Sequence, residues 1–180
     1  TPFSVTSYTA KLIEDQGAKT VADVLENDPS VRFTTSGSHA FENFRLRGFD
    51  VHSSDLAING MYGLAPLGHS ALEYIERVEV LKGPSALFTG MAPSGGIGGV
   101  INLVPKRATD TPLTRVTLDY QTQNQVGAHI DAGRRFGTDN AIGVRVNGSY
   151  GDGETALKGQ DKTRKFLSAA LDYRGEALTA

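Results

Sequence analysis

Two kinds of hydrophobic pattern divide the chain. The residues before Lys106 mix helix-like apolar stripes with short apolar runs, whereas those after Pro112 alternate apolar and polar side chains over long stretches. An apolar repeat of three to four residues is typical of a helix, and a strict two-residue alternation is typical of a strand. The chain therefore predicts a mixed α+β region followed by antiparallel β-strands.

Two short helices are predicted near the N-terminus. The first lies around residues 12–13 and is closed by Gly17. The second begins at the capping pair Thr20 and Asp23 and ends before the dipeptide at 28–29, because a residue that precedes proline is disfavoured in helical geometry. Strands are predicted at residues 4–8, 31–33, 44–46, 55–58, 76–81 and 100–104.

The segment from residue 75 to residue 104 carries the most specific pattern. Residues 75–82 alternate in polarity, with Val78 and Val80 on one face, and this alternation predicts a strand. An apolar turn at 86–88 and a glycine-rich loop at 90–99 follow, and a second β-like run comes next. The pattern predicts a strand, a tight glycine loop and a returning strand.

Three motifs occur in a fixed order along the chain: residues 45–49 (Arg-Leu-Arg-Gly-Phe), residues 58–60 (Ile-Asn-Gly) and residues 75–84 with the glycine-rich loop behind them. This order resembles the plug domain of TonB-dependent outer-membrane receptors, in the siderophore-receptor branch, from about residue 3 to residue 107. The resemblance implies an α+β plug domain with a small mixed sheet in residues 1–108. It also implies that residues 109–180 are the first strands of an outer-membrane β-barrel.

The alternating strands agree with that implication. Val116, Leu118 and Tyr120 share one face, and the alternation recurs in residues 128–132, 142–149 and 167–173. A transmembrane barrel needs one apolar and one polar face on each strand, with short turns and longer loops in alternation, as predicted at 137–140 and 151–163. A plugged barrel has about 22 strands, so a chain with four is expected to be a fragment. The alternative for the strands alone is a soluble β-meander with one solvated face.

Composition excludes several classes. The net charge is −2, from 18 basic and 20 acidic residues, so nucleic acid and other polyanions are not expected partners. The absence of cysteine excludes disulfides, thiolate metal sites and a cysteine nucleophile. Thr1 is expected to be a mature or trimmed start, because no signal-peptide pattern follows it. The resemblance also implies a TonB-box segment, and this chain contains none.

The resemblance places ligand contacts in three apical loops, residues 35–41, 51–54 and 62–69. The candidate ligand-binding residues are His39, Phe41, His52, Ser54, Tyr62 and His69. Imidazole, hydroxyl and aromatic groups suit a hydrogen-bonding iron chelate. Direct metal ligation is a second reading, but the three histidines lack convergent spacing, so iron carried by its own chelator is expected and no protein cofactor. Histidines that are merely solvated are the third reading.

Arg47 and Lys82 are implied by the resemblance to lock the plug to glutamates on the barrel wall. Lysine lacks the two-pronged geometry of arginine, so the second contact is expected to be less rigid. Pairing with Glu76, Glu79 or solvent is the alternative for both.

Enzymatic readings are not supported by the motifs. The glycine-rich loop lacks the Gly-Lys-Ser/Thr order of a phosphate-binding loop, and a strand rather than a helix is predicted behind it. No nucleophile and base occur at useful spacing. The function implied by the resemblance is ferric-siderophore import across the outer membrane of a Gram-negative bacterium, energised through the TonB complex, with outer-membrane lipid around the barrel. The alternative is a soluble α+β ligand-binding module that is not associated with a membrane.

Overall fold

The computed structural model describes residues 4–35, 39–83, 86–95, 97–121, 125–154 and 159–175. The chain forms two compact units, Thr1–Pro105 and Lys106–Ala180. The division falls close to residue 108, where the sequence places the end of the first domain.

The first unit contains seven strands and three short helices in its described part. Their bounds are β1 Ser4–Thr9, α1 Ala10–Asp15, α2 Val21–Leu25, β2 Val31–Phe33, β3 Phe44–Leu46, β4 Phe49–Val51, β5 Ala57–Ile58, β6 Ile75–Lys82, α3 Ala86–Thr89 and β7 Gly99–Pro105. Four strands form a mixed sheet in the order β1-β6-β7-β5, in which β5 runs parallel to β7 and the other pairs are antiparallel. The remaining strands form a small sheet in the order β2-β3-β4.

The core of this unit explains why apolar and polar side chains alternate along its strands. The hairpin of β6 and β7 buries Val78, Val80, Ile101 and Leu103 completely, and α2 packs its apolar stripe onto the same cluster. Helix α2 begins with a capping box at Thr20, whose hydroxyl accepts a hydrogen bond from the Asp23 amide, as the sequence predicts. The predicted strand, glycine loop and returning strand are therefore confirmed.

Two tight turns sit within the motifs at 45–49 and 58–60. Arg47 and Gly48 have φ values of 51° and 89°, and they connect β3 to β4. Asn59 and Gly60 have φ values of 51° and 79°, and Ile58 pairs with the residue beyond them. Positive φ at both central positions is the pattern of a type I′ turn, which matches the twist of the strands it joins. Strand β4 was not predicted, since Arg-Gly is a weaker turn signal than Asn-Gly.

Two predicted elements differ in part from the structure. The strand predicted at 55–58 is a 3₁₀ turn at Ser53–Asp55 followed by the two-residue strand β5. The reason is the Asp55 carboxylate, which accepts hydrogen bonds from the backbone amides of His52 and Ser94 and so bends the chain locally. The apolar turn predicted at 86–88 is helical and forms α3.

The second unit is a meander of four long antiparallel strands, β8 Leu113–Gln121, β9 Gln125–Phe136, β10 Ile142–Glu154 and β11 Asp161–Tyr173. One face is largely apolar and exposed, with Leu118, Leu167 and Leu171 between 70% and 78% exposed. The opposite face carries buried polar side chains. This two-faced sheet is the predicted one, and it completes the predicted fold class.

The connections between these strands follow the prediction in part. The turn near 137–140 is short, since Phe136 pairs directly with Ile142. The connection predicted over 151–163 is shorter than expected, because β10 and β11 continue to pair as far as Glu154 and Asp161. Within the described residues, no helix is long and apolar enough to cross a membrane.

Candidate functional site

The apical loops of the first unit are tied together by hydrogen bonds in their described parts. The Asn43 side-chain oxygen accepts from the Ser53 amide at 3.1 Å, and the Ser53 hydroxyl donates to the Leu67 carbonyl. The His69 ring nitrogen Nε2 lies 2.8 Å from the His39 carbonyl oxygen. These bonds join three segments that are separate in the sequence, so a ligand that touched one loop would meet a connected surface.

The candidate ligand residues fall into two groups. His39 and Phe41 are exposed and their ring centroids lie 5.8 Å apart, and His69 reaches the same turn through the His39 carbonyl. Tyr62 points instead toward α3, where its hydroxyl lies 3.3 Å from Thr89 Oγ1. Part of the first apical loop, residues 36–38, lies outside the described residues.

His52 and Ser54 occupy the second apical loop. Val51, the first residue of that loop, closes β4, and Ser54 sits within the 3₁₀ turn behind it. Among the described residues, no hydrogen bond joins the side chains of His52 and Ser54 to His39 or His69.

Among all the residues that the structure describes, no group of three histidine, aspartate or glutamate side chains is placed to hold a metal ion.

A buried carboxylate lies directly beneath the apical loops. Glu42 is 2% exposed, and its Oε1 accepts a hydrogen bond of 2.6 Å from the Ala22 amide at the start of α2. Its Oε2 lies 3.8 Å from His69 Nδ1. Burial raises the pKa of Glu42, and the hydrogen bonds that it accepts and the nearby His69 offset this in part. Sequence reasoning missed Glu42, because nothing in its neighbourhood along the chain marks it as buried.

Lys82 pairs within the first unit. Its Nζ lies 2.8 Å from Asp28 Oδ2 and 2.9 Å from Oδ1, and both side chains are largely buried. The alternative pairing of Lys82 with Glu76 or Glu79 is not the one observed. Glu79 is bonded to Arg77 at 2.6 Å and to Asn102 at 2.9 Å.

Asp28 is the hub of a four-residue network. It accepts from the Tyr8 hydroxyl at 2.8 Å and from the Ser30 amide and hydroxyl at 2.9 and 2.6 Å, in addition to Lys82. Burial alone would raise the pKa of Asp28, but the hydrogen bonds from Lys82, Ser30 and Tyr8 outweigh it and hold the pKa well below its usual range. Burial, and then the contact with Asp28, raises the pKa of Tyr8.

Arg47 sits at the tip of the β3–β4 turn. Its amide donates to the Ser30 carbonyl at 3.0 Å, and its side chain points away from the core and is exposed. Within the described parts of the chain, Arg47 makes no ion pair. Among the described residues, Arg47 therefore does not pair with Glu76 or Glu79, and its guanidinium is exposed to solvent.

The glycine-rich loop packs closely against its own unit. A Cβ atom added at Gly98 would overlap the Leu46 carbonyl oxygen and would lie 2.9 Å from Phe49 Cβ. One added at Gly99 would overlap the Leu81 carbonyl oxygen and would lie 2.6 Å from Leu46 Cδ2. The sequence predicts that these glycines permit close packing between the sheet and a barrel wall, whereas the close contacts observed are with β3, β6 and the start of β4.

A buried ionic cluster lies on the polar face of the second unit. Asp131 Oδ2 is 3.0 Å from Lys106 Nζ and 2.8 Å from Arg145 Nη2, and the three side chains are at most 5% exposed. Arg145 Nη1 also donates to the Arg107 carbonyl at 3.3 Å, and Arg135 Nη1 to the Ala108 carbonyl at 3.2 Å. These bonds fasten residues 106–108 to β9 and β10.

Comparison with protein families gives one match that covers most of the first unit. The family described as "TonB-dependent Receptor Plug Domain" matches residues 1–100. That match contains the three motifs, the Asp28 network and the apical loops.

Comparison with individual proteins gives similar results. The chain is 47% identical to the ferrichrome receptor FcuA of Yersinia enterocolitica over 97% of its own length and 23% of that protein. It is 32% identical to the ferric-pyoverdine M114 receptor PbuA of Pseudomonas sp. strain M114, over 74% of the chain and 16% of PbuA. Among solved structures, the ferric preacinetobactin receptor BauA of Acinetobacter baumannii has a TM-score of 0.93 at 44% identity, over 98% of the chain and 26% of BauA. The chain thus spans about a quarter or less of these proteins.

Proposed function

The chain belongs to the TonB-dependent receptor plug domain family, and we propose that it serves as the plug and first wall strands of a receptor that imports a ferric siderophore. The family is one of receptors and transporters rather than enzymes. Import is energised through the TonB complex in this proposal, and the protein resides in the outer membrane of a Gram-negative bacterium. Iron enters as the cargo, carried by its chelator, and the plug supplies hydrogen bonds rather than metal ligands.

The observation that carries the membrane part of the proposal is the apolar face of the second unit. From Ile142 to Tyr150 the apolar side of β10 runs over nine residues, which agrees with the roughly 9 to 11 residues that a tilted barrel strand needs to cross the bilayer. Phe136 and Tyr173 flank Ile142 on the neighbouring strands, and Tyr120 lies near the level of Tyr150. An apolar band of about 25 Å between two aromatic girdles is the pattern of an outer-membrane strand.

The polar face of the same sheet supports a hydrated or plugged interior. Lys106, Asp131, Arg135 and Arg145 all lie on it, and they are satisfied by one another and by backbone carbonyls. Charged groups facing lipid would be costly, whereas charged groups facing a lumen are tolerated. The alternative of a soluble α+β module is not supported, because its sheet would leave this apolar face in water.

The cargo class follows from the names of the relatives. FcuA, PbuA and BauA are named for ferrichrome, pyoverdine and preacinetobactin, which are different ferric chelates. We therefore propose a ferric siderophore as the cargo class. The ligand contacts proposed are His39, Phe41, His52, Ser54, Tyr62 and His69, of which His39, Phe41 and His69 are drawn together in the structure.

Arg47 and Lys82 are proposed to hold the plug to the barrel wall through glutamates of the wall. The exposed guanidinium of Arg47 has no carboxylate partner in the described part of the chain and supports this role directly. Lys82 has three donor hydrogens, and Asp28 leaves part of that capacity for a second acceptor. In this proposal Arg47 makes the stronger contact with the barrel wall and Lys82 makes the weaker one.

Equilibrium binding tests the proposed cargo. The full-length receptor in detergent is titrated with a panel of ferric siderophores and with the iron-free chelators. Saturable binding of one ferric chelate, weakened by His39→Ala or His69→Ala and unchanged by Asp15→Ala on the exposed face of α1, is the expected result. Failure to bind any ferric chelate, with an intact plug, would contradict the proposed cargo class.

A further inference from the structure

The His69 ring is fixed by a backbone carbonyl. Its Nε2 lies 2.8 Å from the His39 carbonyl oxygen, which can only accept a hydrogen bond. Nε2 must therefore carry a hydrogen. In a neutral imidazole only one ring nitrogen carries hydrogen, so Nδ1 is then a bare acceptor. This assignment follows from the hydrogen-bond partner of the ring.

The other ring nitrogen faces a buried carboxylate. His69 Nδ1 and Glu42 Oε2 are 3.8 Å apart, a distance of an ion pair rather than of a hydrogen bond. Both atoms are buried, and neither has a hydrogen-bond partner among the residues that the structure describes. If both groups were deprotonated, a carboxylate lone pair would face a nitrogen lone pair in a water-poor site. That arrangement is unfavourable, because a buried negative charge needs a compensating proton or cation.

The remaining groups around Glu42 are uncharged. The Ala22 amide donates to Oε1, and the Ser70 amide and Thr20 hydroxyl also stabilise the carboxylate. His69 is the titratable group whose charge acts on Glu42. Neutral donors alone do not overcome the effect of burial, which keeps the pKa of Glu42 above its usual value.

We propose that Glu42 and His69 hold one proton between them, and that this proton fastens the third apical loop to the turn at residues 39–42. Glu42 is then a positioning residue, which orients the His69 ring without touching the cargo. The proton belongs to the pair, as an imidazolium facing a carboxylate or an imidazole facing a carboxylic acid. Either form removes the facing lone pairs and leaves the bond to the His39 carbonyl intact.

The direction of the pH dependence follows. A carboxyl group whose pKa is raised by folding contributes its stability at low pH and loses it as the pH rises through the folded-state pKa. The contact between the third apical loop and the turn at residues 39–42 therefore weakens as the pH rises through the folded-state pKa of the carboxyl group. The effect on chelate binding rests on the proposed function, whereas the proton is tested without any chelate.

Hydrogen exchange of the full-length receptor in detergent tests the proposal. The protection factor of a peptide that covers residues 62–70, corrected for the intrinsic pH dependence of exchange, is measured from about pH 5 to about pH 9, from just above the usual carboxyl pKa upward. As the pH rises, we expect the protection factor to fall by roughly tenfold for each unit by which the pair's pKa is raised. In Glu42→Gln, which is neutral at every pH, the profile becomes flat. The matched control Asp50→Asn, at an exposed carboxylate paired with Arg45, keeps the wild-type profile.

A flat profile in the wild type, or an unchanged one in Glu42→Gln, would overturn the proposal. If Glu42→Gln does not assemble, His69→Gln tests the pair from its other member, at a side chain that is 23% exposed. The amide of Gln can donate to Glu42 at any pH, so the profile is expected to differ from that of the wild type. Infrared titration of the wild type supplies a second readout, a pH-dependent carboxyl signal of Glu42 that Glu42→Gln lacks, and its position shows which member of the pair carries the proton. If the receptor shows this pH profile but binds no ferric chelate, the shared proton is supported and the proposed cargo class is contradicted. The two proposals can therefore fail separately.

Discussion

Lys82 Nζ lies 2.9 Å from Asp28 Oδ1, so the end of β6 is bonded to the turn that precedes β2. The same carboxylate accepts the Tyr8 hydroxyl of β1, the edge strand of the mixed sheet. Asp28 therefore connects three parts of the plug that the backbone ladder alone would leave less firmly joined. A force applied to β1 would have to break the Tyr8 contact as well as the β1–β6 ladder.

Removing Asp28 is expected to loosen β1. In Asp28→Ala, the Lys82 ammonium and the Tyr8 hydroxyl lose a buried partner, and a loss of about 3 kcal/mol of local stability is expected. Hydrogen exchange of a peptide covering β1, in the full-length receptor, should then accelerate by on the order of 100-fold. Asp15→Ala removes an exposed ion pair with Lys11 and serves as the control, with exchange at the wild-type rate. Equal exchange rates in both variants would show that Asp28 does not stabilise β1.

The Asp28 network also predicts a pH dependence of opposite sign to that of Glu42. The folded-state pKa of Asp28 lies below its unfolded value of about 3.9, so its contribution is complete above that value and is lost as the pH falls. Protection of β1 should be constant from neutral pH down to about pH 5 and should decline in more acidic solution. A decline that begins near neutral pH would contradict the depressed pKa.

The glycine-rich loop is expected to tolerate substitution unequally. Gly98→Ala places a methyl group against the Leu46 carbonyl and Phe49, and a cost of about 3 kcal/mol is expected from overpacking. Gly95 has a φ of 73° but open space around it, so Gly95→Ala costs only the conformational penalty of about 1 kcal/mol. Hydrogen exchange of a peptide that covers β6, in the full-length receptor, measures the loss of stability in each variant. A greater effect at Gly95 would mean that backbone conformation, and not close packing, explains the glycines.

The orientation of the barrel strands predicts opposite outcomes at neighbouring positions. Val116 is 65% exposed on the apolar face and is level with Ile130 and Leu167, near the middle of the band. Val116→Arg should reduce stability in lipid bilayers by about 2 kcal/mol. Thr117→Arg, on the polar face, should have little effect. Folding titrations of the full-length receptor in vesicles compare the two, and a larger cost at Thr117 would reverse the assignment of the faces.

Sequence periodicity was sufficient for most of the fold. The bounds of β2 and β3 agree with the prediction, and the capping box of α2 is present, because these features depend on residues that are close together in the chain. The long strands β8 to β11 were also predictable, since lipid and lumen require strict alternation. The 3₁₀ turn before β5 was missed because Asp55 bonds to Ser94, which is distant in the sequence.

The site was less predictable for the same physical reason. Lys82 and Asp28 are 54 residues apart, and the sequence offered Glu76 and Glu79 as nearer partners. Glu42 has the exposed neighbour Phe41 and gives no local sign of burial. Buried charges take their partners from tertiary packing, which single-sequence patterns do not encode. The resemblance to a family supplied the apical loops, and the structure supplied the connections among them.

Energised uptake tests the central claim most directly. Cells that carry the full-length receptor are given the chelate identified by binding, labelled with radioactive iron, and internalised iron is measured with and without TonB. The account predicts saturable uptake that requires the receptor, stops without TonB or with a protonophore, and weakens when His69 is replaced by alanine. Uptake that continues at the same rate without TonB, or no uptake of any ferric chelate, would contradict it.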